Sequence, residues 1–326
     1  MARAQNRMPA TANSAESSTV LAARTCTVSS VPAGFCIPPA RLRVASTGCC
    51  FAPKQAAGLL RPALLQELYA MLPLTDLAAQ TDTAPGAEQP TLVLLHFYGS
   101  SRREWIEAGA LLHRHFRVIS IDTPGFGEAR EVPGYSVSEM ADTISETITA
   151  LKPGRFVLVG HSMTGKIAAV LAKRGLPGLA KLVLLTPSPV GPEPIDPEAR
   201  ARMLAQAEPT RADAEEYVLT NSSRKLAPAI FERAVEDRLQ ANPEAWRSWM
   251  NVGSKEDWSE RVTGLSIETL VIAAADDVSL GPNVQRELTM PHFLNVKLET
   301  VPQCGHLVPM EAPHELAELI KKFAEK

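Results

Sequence analysis

Apolar residues in this chain come in short runs, each stopping at a polar, turn-forming segment. Residues 91–95 (Thr-Leu-Val-Leu-Leu) run into His96, Phe97, Tyr98, Gly99, Ser100 and Ser101. Residues 116–121 run into Asp122, Thr123, Pro124, Gly125, Phe126 and Gly127. Residues 156–159 stop at Gly160, 182–185 at Thr186-Pro187, and 270–274 at Ala275-Asp276-Asp277. A weaker run, 295–301, leads into Pro302, Gln303, Cys304, Gly305 and His306. Continuous apolar runs of this length predict strands buried on both faces. Helical patterns lie between most of them, and such alternation predicts an α/β fold: a mostly parallel sheet with helices on both faces. Functional groups in such sheets collect beyond the carboxyl ends of the strands. Residues 188–263 break the rhythm. They are rich in Glu, Arg and Ala, with helical segments that carry Ile230, Phe231, Ala234 and Val235, then Trp246, Trp249, Met250 and Trp258.

The most informative strand end is the third. After Val159 the chain reads Gly160-His161-Ser162-Met163-Thr164-Gly165 and passes into a helical pattern up to Lys173. A strand–elbow–helix turn holds the serine hydroxyl clear of the sheet. The backbone N–H groups that follow lie at a helix N-terminus, which favours developing negative charge. Further along, the strand ends add an acid (Asp277, with Asp276 as its rival) and a histidine (His306).

From about Thr91 onward these residues resemble an α/β-hydrolase. The order Ser162, Asp277, His306 is the order that family uses. Gly305-His306 followed by Glu311 and Pro313 is similar to the family's pattern before its last helix, here 314–323. Asp122 to Gly127 is similar to its Asp-x-x-Gly-x-Gly loop. Three positions depart from the pattern: Thr164 stands where a second elbow glycine is usual, Phe97 replaces the glycine after His96, and Ala274 replaces a glycine before the acid. None of these removes a reacting group.

The resemblance implies roles. Ser162 is the expected nucleophile, His306 its general base and later acid, and Asp277 the group that orients His306. Family spacing favours Asp277 over Asp276. The oxyanion hole is expected from the backbone N–H groups of Met163 and Tyr98, with Phe97 as the lesser choice. In the family a helical cap is inserted after the fourth strand identified here, so residues 188–263 are expected to cover the site. Its aromatics are read as core. His96 and His161 are read as structural, Asp122 as fixing its own loop, Cys304 as a small buried side chain, and Lys166 as solvated or snorkelling.

The chain has 326 residues, 45% apolar and 21% charged, with net charge −3. That balance suits a soluble globular protein and gives no sign of nucleic-acid binding. No apolar run approaches a membrane span. No metal-ligand spacing or phosphate-binding glycine loop stands out, so neither metal nor cofactor is expected. Residues 1–60 differ: Arg3, Arg7, Arg24, Arg41, Arg43 and Lys54 face one acid, Glu16, and Cys26, Cys36, Cys49 and Cys50 cluster there. An acid-poor segment of this kind resembles an organelle transit peptide; a disordered extension, an early start codon and, without a clean apolar h-region, a secretory signal are the alternatives. The expected layout is therefore an extension (1–60), a hydrolase core (61–187 and 264–326) and a cap (188–263), in a soluble intracellular or organellar protein. The opening of the sheet is poorly marked: 77–81 is a weak strand candidate, and 59–72 reads as a helix with Leu60, Leu64, Leu65, Leu68 and Leu72 on one face.

The expected activity is hydrolysis of a small carboxylic ester through an acyl-enzyme. The same triad serves carbon–carbon hydrolases, perhydrolases, lactonases and thioesterases, and the sequence does not separate them. Ser162 argues against dehalogenases and epoxide hydrolases of this fold, which place aspartate at the elbow. A ligand receptor that keeps the fold is the reading of another class.

Overall fold

The structure, a computed structural model, describes residues 89–325. The expectations for 1–60, 59–72 and 77–81 lie outside those residues. Each of the six apolar runs is a strand: β1 (Thr91–Leu95), β2 (Val118–Ile121), β3 (Phe156–His161), β4 (Leu179–Leu185), β5 (Glu268–Ala274) and β6 (Val296–Val301). They form one parallel sheet in the order β2-β1-β3-β4-β5-β6. The helices that matter here are α1 (Ile106–Leu112), α2 (Val137–Leu151), α3 (Met163–Arg174), α4 (Pro197–Ala205), α5 (Arg211–Thr220), α6 (Pro228–Gln240), α7 (Pro243–Asn251), α8 (Val308–Glu311) and α9 (Pro313–Ala324).

The two-residue period of a strand sends its apolar side chains to two cores. Leu92 and Leu94 join Val157, Val159, Leu112 of α1, and Leu316 and Ile320 of α9. Val93 and Leu95 join Ile119, Leu158, Met140 and Ile144 of α2, and Ile167 of α3. A strand with apolar residues at every position is therefore sandwiched between helices. Helix α2 shows the complementary logic. Ser136 caps it and forms a reciprocal capping box with Glu139, and Val137, Met140, Ala141, Ile144 and Ile148 are buried at helical spacing. Truncating one of its buried isoleucines to alanine costs about 2–5 kcal/mol in cores of this kind.

Strands β4 and β5 begin before the apolar runs because a charged pair opens them. Lys181 lies in register with Glu268. Its ammonium sits 3.2 Å from Glu268 Oε2 and donates to the Phe323 carbonyl of α9 at 2.9 Å. Among the described residues β6 is the edge of the sheet, and it is mostly half-buried or exposed, which is why its apolar signal is faint.

The chain moves from β1 outward to β2, then returns to place β3 on the other side of β1. The loops after β1 and β3 part at that reversal and leave a crevice at the carboxyl end of the sheet. Helices α4 to α7 all lie between β4 and β5. Their starts are well marked: Asp196 and Asn242 cap α4 and α7, each with proline at the first turn, and Thr210 forms a capping box with Asp213 on α5. As read from the sequence, Trp246, Trp249 and Met250 of α7 are buried. No helix among the described residues is long and apolar enough to cross a membrane.

Candidate active site

Ser162 follows β3 directly and precedes the first turn of α3. Its backbone sits at φ 56° and ψ −117°, a region L-residues rarely adopt and one that surrounding structure must impose. Three backbone hydrogen bonds do so. Ser162 N–H donates to Leu185 O at 2.9 Å, and its carbonyl accepts from Gly165 N–H (2.8 Å) and Ser188 N–H (2.9 Å). Two glycines make the turn possible. A Cβ at Gly160 would lie 2.5 Å from the Thr164 carbonyl oxygen, and one at Gly165 would lie 2.5 Å from Pro187 Cβ.

Thr164, the departure at the elbow, is a participant in the turn. Its Oγ1 accepts the His161 N–H at 2.9 Å and lies within donating distance of the Leu95 (3.1 Å) and His161 (3.0 Å) carbonyls. It thereby links the elbow to the end of β1.

His306 lies between β6 and α8, and its N–H donates to Asn221 O at 2.8 Å. Glu311 of α8 holds this loop. Its carboxylate accepts the N–H groups of Gly305 (3.0 Å) and Leu307 (3.1 Å), on either side of His306, and those of Ser223 (2.8 Å) and Arg224 (2.7 Å). On the ring, Nδ1 is 2.7 Å from Asp277 Oδ2. The other Asp277 oxygen accepts from Ser279 N–H (3.0 Å) and Leu280 N–H (2.9 Å). Burial opposes the charge on Asp277, but the His306 ring and these N–H groups outweigh it and hold its pKa below the usual carboxylate value. Burial likewise opposes the imidazolium of His306, but Asp277 outweighs it and raises the pKa above the usual imidazole value. Asp276, the rival acid, is exposed.

Ser162, His306 and Tyr98 line one cavity of about 500 Å³, together with Glu193, Tyr217, Asn221, Trp249, Met250 and Leu280. Met163 is buried at the first turn of α3, where backbone N–H groups lack intrahelical partners. Phe97 N–H donates to Glu104 Oε2 at 3.2 Å. Tyr98 is clamped by the helices between β4 and β5. Its ring stacks on Trp246 with centroids 4.0 Å apart, its hydroxyl donates to the Trp246 carbonyl (2.6 Å), and its own carbonyl accepts from Tyr217 Oη (2.7 Å). The Arg238 guanidinium covers the other face of this stack, 3.3 Å from the Trp246 centroid.

The residues around the site depart from the sequence reading at several points, among them His161, whose Nδ1 meets the Glu104 carboxyl rather than backbone. His96 Nε2 accepts the Thr123 N–H at 3.0 Å, so its Nδ1 carries the proton and donates to the Phe97 carbonyl at 2.8 Å. Asp122 accepts from Glu128 N–H in its own loop (3.0 Å) and also from Arg102 N–H (2.7 Å), which ties it to the loop after β1. Cys304 is fully buried. Lys166 is neither solvated nor snorkelling: it is 0% exposed, and its ammonium donates to the carbonyls of Gly253 (3.2 Å) and Glu256 (3.0 Å). Burial pushes its pKa down to about 8. The wall of the cavity is a further correction, because Trp249 and Met250, read only as core, face it too. The pattern of the chain does not single out Glu193, which lines the cavity and accepts from Ser188 Oγ at 2.7 Å. Burial raises its pKa. Among the described residues no cluster of three His, Cys, Asp or Glu side chains stands where a metal ion could be held.

The chain is similar to several known proteins. The pimeloyl-[acyl-carrier protein] methyl ester esterase of Nitrosospira multiformis is 25% identical over 252 residues, covering 73% of this chain and 95% of the relative. A thermophilic esterase from Thermogutta terrifontis superposes with a TM-score of 0.61 at 26% identity, covering 74% of this chain and 91% of the other. An esterase from Exiguobacterium antarcticum superposes with a TM-score of 0.66 at 18% identity, covering 73% and 92%. A model of the alpha/beta hydrolase family matches residues 92–319. That match runs from the first strand into the last helix, through every loop that carries a candidate group: the chain belongs to the alpha/beta hydrolase family of enzymes.

Proposed function

We propose that the protein is a serine hydrolase of small carboxylic esters, with Ser162 as nucleophile, His306 as general base and acid, and Asp277 as the orienting acid. One observation carries the reading: the 2.7 Å contact between Asp277 Oδ2 and His306 Nδ1, in a ring that shares its cavity with a serine on a strained elbow. With Nδ1–H given to Asp277, the lone pair of Nε2 is left for the serine proton.

Ser162 Oγ attacks the ester carbonyl carbon as its proton passes to His306 Nε2. The carbonyl oxygen becomes an oxyanion, held by the N–H groups of Met163 and Tyr98. Phe97 N–H is committed to Glu104, which leaves Tyr98 as the donor from that loop. Collapse expels the alcohol, which takes the proton back from His306. Water then repeats the sequence on the acyl-enzyme, with His306 as its base. Residues 188–263 act as a cap, closing the acyl or alcohol pocket with Tyr217, Trp249 and Met250.

The Nitrosospira relative is named for a methyl ester, so esters of small alcohols are the first substrates to test. The test is a panel of p-nitrophenyl, methyl, thio- and lactone esters, run beside a fluorophosphonate probe. Labelling with ester turnover is the expected result. Labelling with turnover of only another bond type would move the assignment to that bond. Labelling without any turnover would favour a receptor on this fold.

A further inference from the structure

Directly behind the proposed triad lies a second carboxyl–histidine pair that the reaction does not use. Glu104, in the turn after β1, and His161, the residue before Ser162, are both 0% exposed. Glu104 Oε1 lies 2.9 Å from His161 Nδ1, and Glu104 Oε2 accepts the Phe97 N–H at 3.2 Å. On its far side, His161 Nε2 lies 2.9 Å from the backbone carbonyl oxygen of His306. The chain of contacts therefore runs from the loop that carries Tyr98, through Glu104 and His161, to the loop that carries His306.

Proton accounting fixes the state of this chain. A carbonyl oxygen only accepts, so Nε2 of His161 must carry a hydrogen. Nδ1 of a neutral ring is then an acceptor, and its partner oxygen on Glu104 must be the donor. A glutamic acid facing a neutral imidazole satisfies every contact without a buried charge, whereas an ion pair would place two charges in a site closed to water. With both groups deprotonated, two lone pairs would face each other across 2.9 Å.

We propose that Glu104 and His161 are a proton-sharing positioning pair: the proton held by Glu104 keeps His161 in its Nε2–H tautomer, which tethers the His306 carbonyl while Glu104 fixes Phe97 N–H. The assignment rests on the serine-hydrolase reading for its effect on turnover, but the tautomer itself does not. Burial agrees with it from both sides. It pushes the Glu104 carboxyl up to about 8 and holds the His161 ring well below the usual imidazole value. The groups that act on the pair from neighbouring elements are His96 after β1, His306, Asp277 after β5 and Glu311 of α8. When the proton is lost, His161 gains by moving its hydrogen to Nδ1, toward the ionised Glu104. The lone pair of Nε2 then faces the His306 carbonyl, and the tether is gone. Turnover is therefore expected to fall as pH rises through about 8.

Two variants and one spectrum test this on the full chain. Glu104→Gln can donate its amide N–H to His161 Nδ1 and accept Phe97 N–H through its carbonyl, but has no proton to lose. Glu104→Ala can do neither. Glu104→Ala should lower kcat by about 10²-fold, with KM little changed, as for a small misplacement of reacting groups. Glu104→Gln should restore most of that loss and abolish the alkaline fall. A Glu104→Gln enzyme as slow as Glu104→Ala, or one that keeps the alkaline fall, would overturn the proposal. If Glu104→Ala does not fold, Glu104→Gln decides the question alone. The spectrum separates this inference from the proposed function: ¹⁵N-imidazole NMR, with His161 assigned through His161→Gln, should show the Nε2–H tautomer at pH 7. An imidazolium or an Nδ1–H tautomer at that pH would overturn it. Absence of ester turnover would sink the serine-hydrolase reading and leave the tautomer result standing.

Discussion

Asp276 and Asp277 are neighbours in sequence and opposites in environment. One is exposed on the loop after β5; the other has both oxygens engaged, one by His306. Asp277→Asn should therefore cost about 10⁴ in kcat, the order seen when a triad histidine loses its orienting carboxylate. Asp276→Asn should cost little, and the reverse ranking, measured on the same ester, would make Asp276 the orienting acid. On the proposed mechanism the pH profile follows from His306, which must be neutral to accept the serine proton. Asp277 raises its pKa, so the acidic limb should rise through a midpoint above the unperturbed value of about 6.5. Since the pair behind it ionises at about 8, the full profile should be a bell that Glu104→Gln opens on its alkaline side. A rate flat from about pH 5 to 9 would contradict both ionisations. The proposed reacting residues were legible as candidates because each sits at a strand end inside a short motif. Glu104 and Lys166 were not. Their burial depends on partners remote in sequence, His161 for one and the Gly253 and Glu256 carbonyls for the other, and no local period encodes such meetings.

At the scale of elements, the elbow shows how a departure from a family pattern can be absorbed. The usual glycine at position 164 would leave the buried His161 N–H without the Thr164 oxygen that now accepts it. Thr164→Gly should therefore destabilise the protein by about 1–3 kcal/mol, from the lost partner and the freer helix start. Thr164→Ser, which keeps the hydroxyl, should recover most of that. Thermal or urea unfolding checks the pair; an equally stable Thr164→Gly protein would mean that the hydroxyl is incidental. The helices between β4 and β5 were legible as helical segments with an apolar stripe at Ile230, Phe231, Ala234 and Val235. Their grip on Tyr98, through Trp246 and Tyr217, was not, because two elements more than a hundred residues apart must pack before it exists.

At the scale of the molecule, the parallel sheet between helices was legible from the alternation of apolar runs and helical patterns; the strand order, and with it the reversal between β1 and β3 that opens the crevice, was not, because it depends on which runs pair across the sheet. Edge strand β6 and the charged openings of β4 and β5 were the hardest to bound, since exposure and ion pairing both dilute the apolar signal. Residues 1–55 carry six basic residues against one acid and lack a sustained apolar period. Their removal should leave a soluble enzyme with unchanged ester turnover. Insolubility or a large fall in Tm would mean that this segment completes the core.

The proposed mechanism requires Ser162 to form the covalent bond. Reaction with a fluorophosphonate, followed by mass spectrometry of the intact protein and its peptides, reads that bond directly. The wild-type chain should gain one adduct, on the peptide that bears Ser162. Ser162→Ala should gain none and lose about 10⁴ or more in turnover while unfolding at the same temperature. An adduct on another residue, or undiminished turnover in Ser162→Ala, would contradict Ser162 as the nucleophile.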